Sequence, residues 1–116
     1  MNNYTFTKII DSGGWRDVGT ITLKKGVYII SASYVFTASA VDGLRGCYLS
    51  NNVAWNGPYI MDMIRTTGYT GKTQPTRGSM SACVEVLEDT IVTVRSIQDA
   101  GVNLTSDVFV SIVKLS

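Results

Sequence analysis

The groups available for proton transfer are the first constraint on chemistry in this chain of 116 residues. It contains no histidine and nine carboxylates. Without histidine, Ser-His-Asp and Cys-His catalytic arrangements are excluded, and so is the commonest zinc or copper ligand. A glycosidase needs only two carboxylates facing each other across a cleft, but only Asp62 and Glu85 lie inside plausible strands. Most of the others adjoin turns, where a solvated carboxylate is ordinary. We therefore expect no catalytic activity, no metal and no cofactor.

The segment Gly68–Thr73 ends in the Gly-Lys-Thr of a phosphate-binding loop. The full pattern requires a glycine at Thr66 and a helix that begins at the lysine, so that free amides meet the phosphates. Thr66 is not glycine, and Gln74-Pro75-Thr76 does not resemble a first helical turn. A surface loop is the better interpretation.

Aromatic and polar side chains are interspersed in the long irregular region from Val53 to Gly78. Planar apolar faces beside amides, a carboxylate and a guanidinium suit recognition of sugar rings or peptide surfaces. Loops of this length are uncommon in compact domains unless they bind or assemble something. The candidate ligand-binding residues are Trp55, Asn56, Tyr59, Asp62, Arg65 and Tyr69. The alternative is that Trp55 and Tyr59 close the end of the core, and Trp15 is expected to cap the core beside the first strands.

Cys47 and Cys83 lie on separate predicted strands. Two cysteines are too few for a disulfide scaffold or for a zinc site built from sulfur ligands. Buried free thiols are the simplest interpretation, because cysteine is a common core residue. A disulfide between them stays open if the two strands are neighbours.

Composition limits the classes of partner. Charged residues make up 16% of the chain and hydrophobic residues 45%, with a net charge of +1. Typical domains have about 25% charged residues, so the surface should be rich in hydroxyls and amides. Scattered lysines and arginines provide no basic stripe for nucleic acid. The longest apolar stretch, Val27 to Phe36, is too short and too polar for a membrane span. The first residues lack a basic region followed by an apolar run, so no secretory signal is expected.

Short β-prone runs separated by Gly, Asn, Asp and Ser organise the chain, and no segment has helical periodicity. In the longest run, Val27 to Thr37, the face that begins at Tyr28 and ends at Phe36 is predicted to lie in the core. The run from Ser79 to Leu87 is expected to form a hairpin with Thr90 to Gln98, across a turn at Glu88-Asp89. About eight strands in one domain, residues 1–116, predict an all-β antiparallel β-sandwich of jelly-roll topology.

The closing strand, Asp107 to Leu115, is apolar on both faces. One face carries Val108, Val110 and Ile112, and the other carries Phe109, Val113 and Leu115. One face of most antiparallel strands meets water, so this strand implies cover on both sides, by a sheet or by another subunit. Exposure would forgo about 1.5 to 3 kcal/mol for each side chain, which is large for a small domain. One face is expected to form the core and the other a subunit interface; we favour the Phe109 face as the core and the Val108 face as the interface, and the reverse assignment stays open.

Four segments occur in a characteristic order: a Gly-x-Tyr strand, a strand that ends at an asparagine turn, two strands around an acidic turn, and an apolar closing strand. They are Gly26–Ala32, Leu44–Asn52, Val84–Val94 and Phe109–Leu115. Together they resemble the trimeric jelly rolls of the tumour-necrosis-factor and complement globular-head type. The resemblance covers Val18 to Leu115, although Glu88 stands where that family favours glycine.

The resemblance implies a homotrimer about a three-fold axis, with the inner sheets buried against each other. Related jelly rolls form receptor-binding tips of bacteriophage tail fibres and baseplates, and the hydroxyl-rich strands look more like those than like a secreted cytokine. It thus implies a non-catalytic module that binds a host cell-surface saccharide or a protein receptor, with no nucleic-acid partner. Its place would be the virion tail or an extracellular surface. The alternatives are a module that only trimerises and caps a fibre, and a cytokine-like receptor ligand.

Overall fold

All of the regular structure in the described residues is β. The structure is a computed structural model that describes residues 2–37, 43–50, 55–56, 60–66 and 75–116. Its strands are β1 (Asn2–Ile10), β2 (Arg16–Leu23), β3 (Gly26–Phe36), β4 (Gly43–Ser50), β5 (Trp55–Asn56), β6 (Ile60–Thr66), β7 (Thr76–Val86), β8 (Thr90–Gln98) and β9 (Leu104–Lys114). Apart from the two-residue β5, each has seven residues or more. In this part of the chain, no helix is long and apolar enough to cross a membrane.

The strands form two antiparallel sheets that pack face to face. The five-stranded sheet has the order β1-β9-β3-β7-β5, and the four-stranded sheet has the order β2-β8-β4-β6. The chain crosses repeatedly from one sheet to the other, and its first and last strands lie side by side. This is the strand order of a jelly roll. The predicted all-β antiparallel sandwich of jelly-roll topology is confirmed.

The predicted hairpin across Glu88-Asp89 is wrong. β7 pairs with β3 and β5, whereas β8 pairs with β2 and β4, so the short turn carries the chain from one sheet to the other. Asp89 accepts a hydrogen bond from the backbone N–H of Lys25 at 2.8 Å. That bond, together with the nearby Lys24 ammonium, lowers the pKa of the Asp89 carboxyl. Both strands have a buried apolar face, and the crossover sets these faces opposite each other across the core.

The core lies between the sheets and follows the alternation of side chains along each strand. The inward positions of β3 are buried, as the sequence predicts: Tyr28, Ile30, Ala32, Tyr34 and Phe36. Other strands add their own inward residues to the same cluster, with Val84 and Val86 from β7 beside β3 and Val92 and Val94 from β8 in the facing sheet. The outward positions of β3 are less buried and include Ser31 and Ser33.

The two faces of β9 are the reverse of the expectation. Val108, Val110 and Ile112 are 0%, 1% and 4% exposed within the single chain, whereas Phe109 is 44% exposed on the outer side. Pairing with β3 sets Val110 beside the inward Ala32, so the alternate residues of β9 must also face inward. Leu115 lies beyond the end of the strand and is exposed. The assignments of the Val108 face to a subunit interface and of the Phe109 face to the core are wrong.

Two adjacent isoleucines of β1 test this alternation. Ile10 is 2% exposed and Ile9 is 66% exposed. We expect Ile10→Ala to lower the free energy of unfolding by about 2–5 kcal/mol, because it leaves a cavity in the core. The matched control Ile9→Ala should change it by less than about 0.5 kcal/mol. Urea denaturation of both variants measures the difference, and equal losses would contradict this register.

Candidate functional site

The predicted ligand-binding residues do not come together as one described site. Trp55 and Asn56 form β5 at the edge of the five-stranded sheet, whereas Arg65 lies near the end of β6 in the four-stranded sheet. The side chains of these three residues, and Tyr59 and Tyr69 altogether, lie outside the described residues. Their assignment as a binding surface stays a prediction.

The two carboxylates that the sequence places on strands point in different directions. Asp62 on β6 faces the space between the sheets, and Glu85 on β7 is exposed on the outer side. No group of three His, Cys, Asp or Glu side chains within the described ranges could hold a metal ion. The segment Gly68–Thr73 lies outside those ranges.

Asp62 instead links the two sheets. The Tyr34 hydroxyl donates a hydrogen bond to Asp62 Oδ2 at 2.6 Å, and the two residues belong to opposite sheets. Gly78 provides the necessary space, because a Cβ there would collide with the Tyr34 ring and the Asp62 carboxylate. Burial, followed by the bond to Asp62, raises the pKa of Tyr34. The neutral hydroxyl is therefore kept as the donor in this contact.

The two cysteines are free and lie on different sheets. Cys47 is buried on the inward face of β4, and Cys83 is exposed on the outer face of β7. Their strands are not neighbours, so the disulfide that the sequence left open is not formed. Burial raises the pKa of the Cys47 thiol to about 12. The interpretation as buried free thiols is correct for Cys47 alone.

The outer side of the five-stranded sheet carries an uncharged surface, which we call the serine face. Its residues are Asn3, Thr5, Ile29, Ser31, Ser33, Ser79, Ser81, Cys83, Phe109, Ser111 and Val113. Several of its polar groups are hydrogen-bonded within the chain: Ser31 Oγ lies 3.0 Å from Ser81 Oγ, and Ser111 Oγ donates to Asn3 Oδ1 at 2.9 Å. A shallow depression next to Phe109 is lined by these serines.

A different surface lies on the outer side of the four-stranded sheet. Strand register sets Asp17 beside Arg95, Arg95 beside Tyr48 and Tyr48 beside Met61. The Arg95 Nε–H donates to Asp17 Oδ1 at 2.7 Å. Trp15 lies against Tyr48 with ring centroids 5.6 Å apart and planes inclined by 48°. We call these five residues the platform.

The platform is a feature that sequence reasoning missed. Trp15 was expected to cap the core, but its ring contacts Tyr48, which alternates with the buried Cys47 and Leu49 and therefore points outward. That expectation is wrong. The loop before β2 positions Trp15, because the backbone N–H of Gly13 donates to the carbonyl of Gln98 at 2.9 Å.

A β-bulge in β2 turns Asp17 toward the platform. The register against β8 shifts between Asp17 and Gly19. Gly19 packs against the Phe6 ring and Ile21 is buried, so a regular strand would also point Asp17 inward. The additional residue, Val18, reverses the alternation and brings Asp17 to the outer surface. A signal was present in the sequence, because an aspartate at an inward strand position would be buried without a partner.

Comparisons with known proteins identify no family. No family model and no curated protein matches the chain. Among solved structures, it is similar to a chain in the structure of the tripod from the baseplate of bacteriophage Tuc2009, with 12% identity and a TM-score of 0.45. The match covers 93% of this chain and 62% of the phage chain, so this chain spans less than two thirds of that protein.

The contact between Tyr34 and Asp62 gives one prediction. Gly78→Ala should lower the free energy of unfolding by about 1–3 kcal/mol, because the new methyl group would push both side chains apart. The control is Gly14→Ala, where the nearest atom, Arg16 Nη1, would lie 3.5 Å from the new Cβ. Chemical denaturation measures both variants. Wild-type stability of Gly78→Ala would contradict the packing of these two residues.

The Cys47 thiol gives a second prediction. In a Cys83→Ser variant, Cys47 is the single thiol of the chain. With a pKa of about 12, about one molecule in ten thousand carries the reactive thiolate at pH 8. We expect a maleimide to leave the native variant unmodified for hours and to label it fully in denaturant, as read by mass spectrometry. Rapid native labelling would show that Cys47 is accessible.

Proposed function

We propose that the protein is a non-catalytic recognition module that forms a homotrimer and binds a host cell-surface saccharide, at the tip of a bacteriophage tail fibre or baseplate. The serine face is the single observation that carries this proposal. The three-fold stoichiometry and the place in a phage tail come from the resemblance of the sequence to trimeric jelly rolls.

The serine face has the chemistry of a contact between identical copies. A rotational axis brings residues near their own copies, so charges at the centre of such a contact would repel one another. The serine face carries none, and the charged residues of this side lie at its margins, at Arg77, Glu85 and Asp107. On either side of its central row of serines, Phe109 is 44% exposed and Ile29 is 39% exposed. Covering these two side chains favours association.

Three hydroxyl groups of the serine face are suited to burial. Burying a polar group is costly mainly when its hydrogen bonds to water are not replaced. Ser31 and Ser81 already bond to each other, and Ser111 bonds to Asn3. These three hydroxyl groups would therefore lose few hydrogen bonds to water when a second copy covers them. The proposed interface lies on the side of β9 opposite to Val108, Val110 and Ile112.

A module that only trimerises and caps a fibre is supported by the same face. One measurement distinguishes the recognition module from the cap. It is saturable binding of the purified protein to host cells or to an array of their surface glycans. Binding by folded trimer would favour the recognition module. A folded trimer without binding would favour the cap and would overturn the saccharide part of the proposal.

Assembly through the serine face gives a direct prediction. Wild-type protein should sediment at three times the chain mass of 12.6 kDa. Phe109→Asp should sediment as a monomer, because it would bring three carboxylates together in the interface. The control is Ile91→Asp at an exposed position of the other sheet, which should remain a trimer. A monomeric wild type, or trimeric Phe109→Asp, would contradict the proposed interface.

A further inference from the structure

We propose that the platform is the saccharide-binding site, and that its ligand is a neutral oligosaccharide. This inference rests on the proposed function and names its site. The platform consists of Trp15, Asp17, Tyr48, Met61 and Arg95, as defined by the register of the four-stranded sheet and the contact between the two rings.

The aromatic pair provides the apolar part of the site. Trp15 and Tyr48 are both partly exposed, and their planes meet at 48°, which forms an open angle rather than a closed stack. The C–H faces of a pyranose ring pack against aromatic faces, because both surfaces are apolar and nearly flat. Met61 beside Tyr48 is 46% exposed and extends this surface along the row.

The ion pair provides the polar part. Asp17 and Arg95 have opposite charges in contact, so the pair attracts an anionic ligand less than a lone arginine would, and the nearby Lys8 ammonium is bonded to the backbone oxygen of Asp17 at 2.9 Å. Among the described residues, the bond to Asp17 Oδ1 is the one hydrogen bond of the Arg95 guanidinium. Its two terminal nitrogens and Asp17 Oδ2 are therefore left as donors and an acceptor for vicinal sugar hydroxyls.

The β2 bulge strengthens this assignment. Bulges are frequent beside functional sites, where they redirect a side chain. Here the bulge turns the Asp17 side chain from the inward to the outward side of the sheet. There it completes a row across the four strands, formed by Asp17, Arg95, Tyr48 and Met61. An apolar side chain at the inward position would stabilise the fold more than the exposed ion pair does, because such a pair contributes only about 0.2–1 kcal/mol. Stability alone therefore does not explain the outward position of Asp17.

The position in the sheet favours a saccharide over a peptide strand. Peptides that bind to sheets usually add to a free strand edge through backbone hydrogen bonds. Arg95 and Tyr48 lie on β8 and β4, and each of these strands is already paired on both edges. Recognition at these two central residues must therefore use side chains, whereas Asp17 and Met61 lie on the edge strands β2 and β6. The row crosses four strands, and the three spacings of about 4.8 Å between them give about 14 Å, a span suited to a short oligosaccharide.

The platform and the serine face lie on opposite sides of the sandwich. In a trimer assembled through the serine face, three platforms would therefore remain exposed. Three sites on one particle bind a repetitive glycan more tightly than one site does, because the second and third contacts are intramolecular. Weak single-site affinity is then compatible with firm attachment.

The test uses an array that carries neutral oligosaccharides built from hexoses and N-acetylhexosamines beside charged glycans and peptides, followed by calorimetric titration of the best ligand. We expect Trp15→Ala to weaken binding at least tenfold, through loss of the stacking surface. Asp17→Asn and Arg95→Lys should each weaken it severalfold or more, because they alter the charged hydrogen bonds while keeping similar shape. Ile91→Ala, an exposed position on the same sheet outside the platform, should bind like wild type.

Four outcomes separate the two proposals. Loss of binding in the platform variants, with folded trimers and normal binding by Ile91→Ala, supports the site. Normal binding by Asp17→Asn and Arg95→Lys as well as Trp15→Ala overturns the site and leaves the recognition function intact. No glycan binding by wild-type trimer overturns both. Binding that is lost in the platform variants but requires a charged glycan or an arrayed peptide overturns the assignment to a neutral saccharide.

Discussion

The apolar inward face of β3 is the constraint on which the rest of the fold depends. β3 lies in the middle of the five-stranded sheet, and its five inward residues are all buried. Register with β3 sets the inward face of β9 on one side and of β7 on the other. Because side chains alternate, Ser31, Ser33 and Phe109 must then point outward. The serine face is the necessary reverse side of the core.

The same constraint explains which predictions succeeded. In β3, five apolar residues alternate with a second set of residues that includes Ser31 and Ser33. This pattern by itself identifies the apolar set as the core face. In β9, the residues from Asp107 onward place apolar side chains on both faces, so this shorter segment does not separate a core face from an outer face. The strand begins earlier, at Leu104, and Phe109 shares its face with Asp107 and Ser111. Over the full strand, the pattern favours the Val108 face as the core.

Other features depend on pairing between distant segments, which a single sequence does not reveal. The Glu88-Asp89 turn is short enough for a hairpin, but its strands belong to different sheets. Tyr48, Arg95 and Asp17 become neighbours only through the order β2-β8-β4. The bond between Tyr34 and Asp62 likewise requires both sheets to be in place. Local patterns therefore predict strands and inward faces, whereas the candidate sites arise from topology.

The two outer surfaces differ in a way that suits them to different partners. If the platform were placed against its own copies, it would bring Asp17 near Asp17 and Arg95 near Arg95, with like charges opposed. The serine face has no such conflict. Arg95 and Tyr48 of the platform lie on strands that are paired on both edges, so a ligand there would meet side chains held on a fixed backbone. The proposed association through one sheet would leave the other sheet exposed, so a chain of 116 residues could carry both proposed activities.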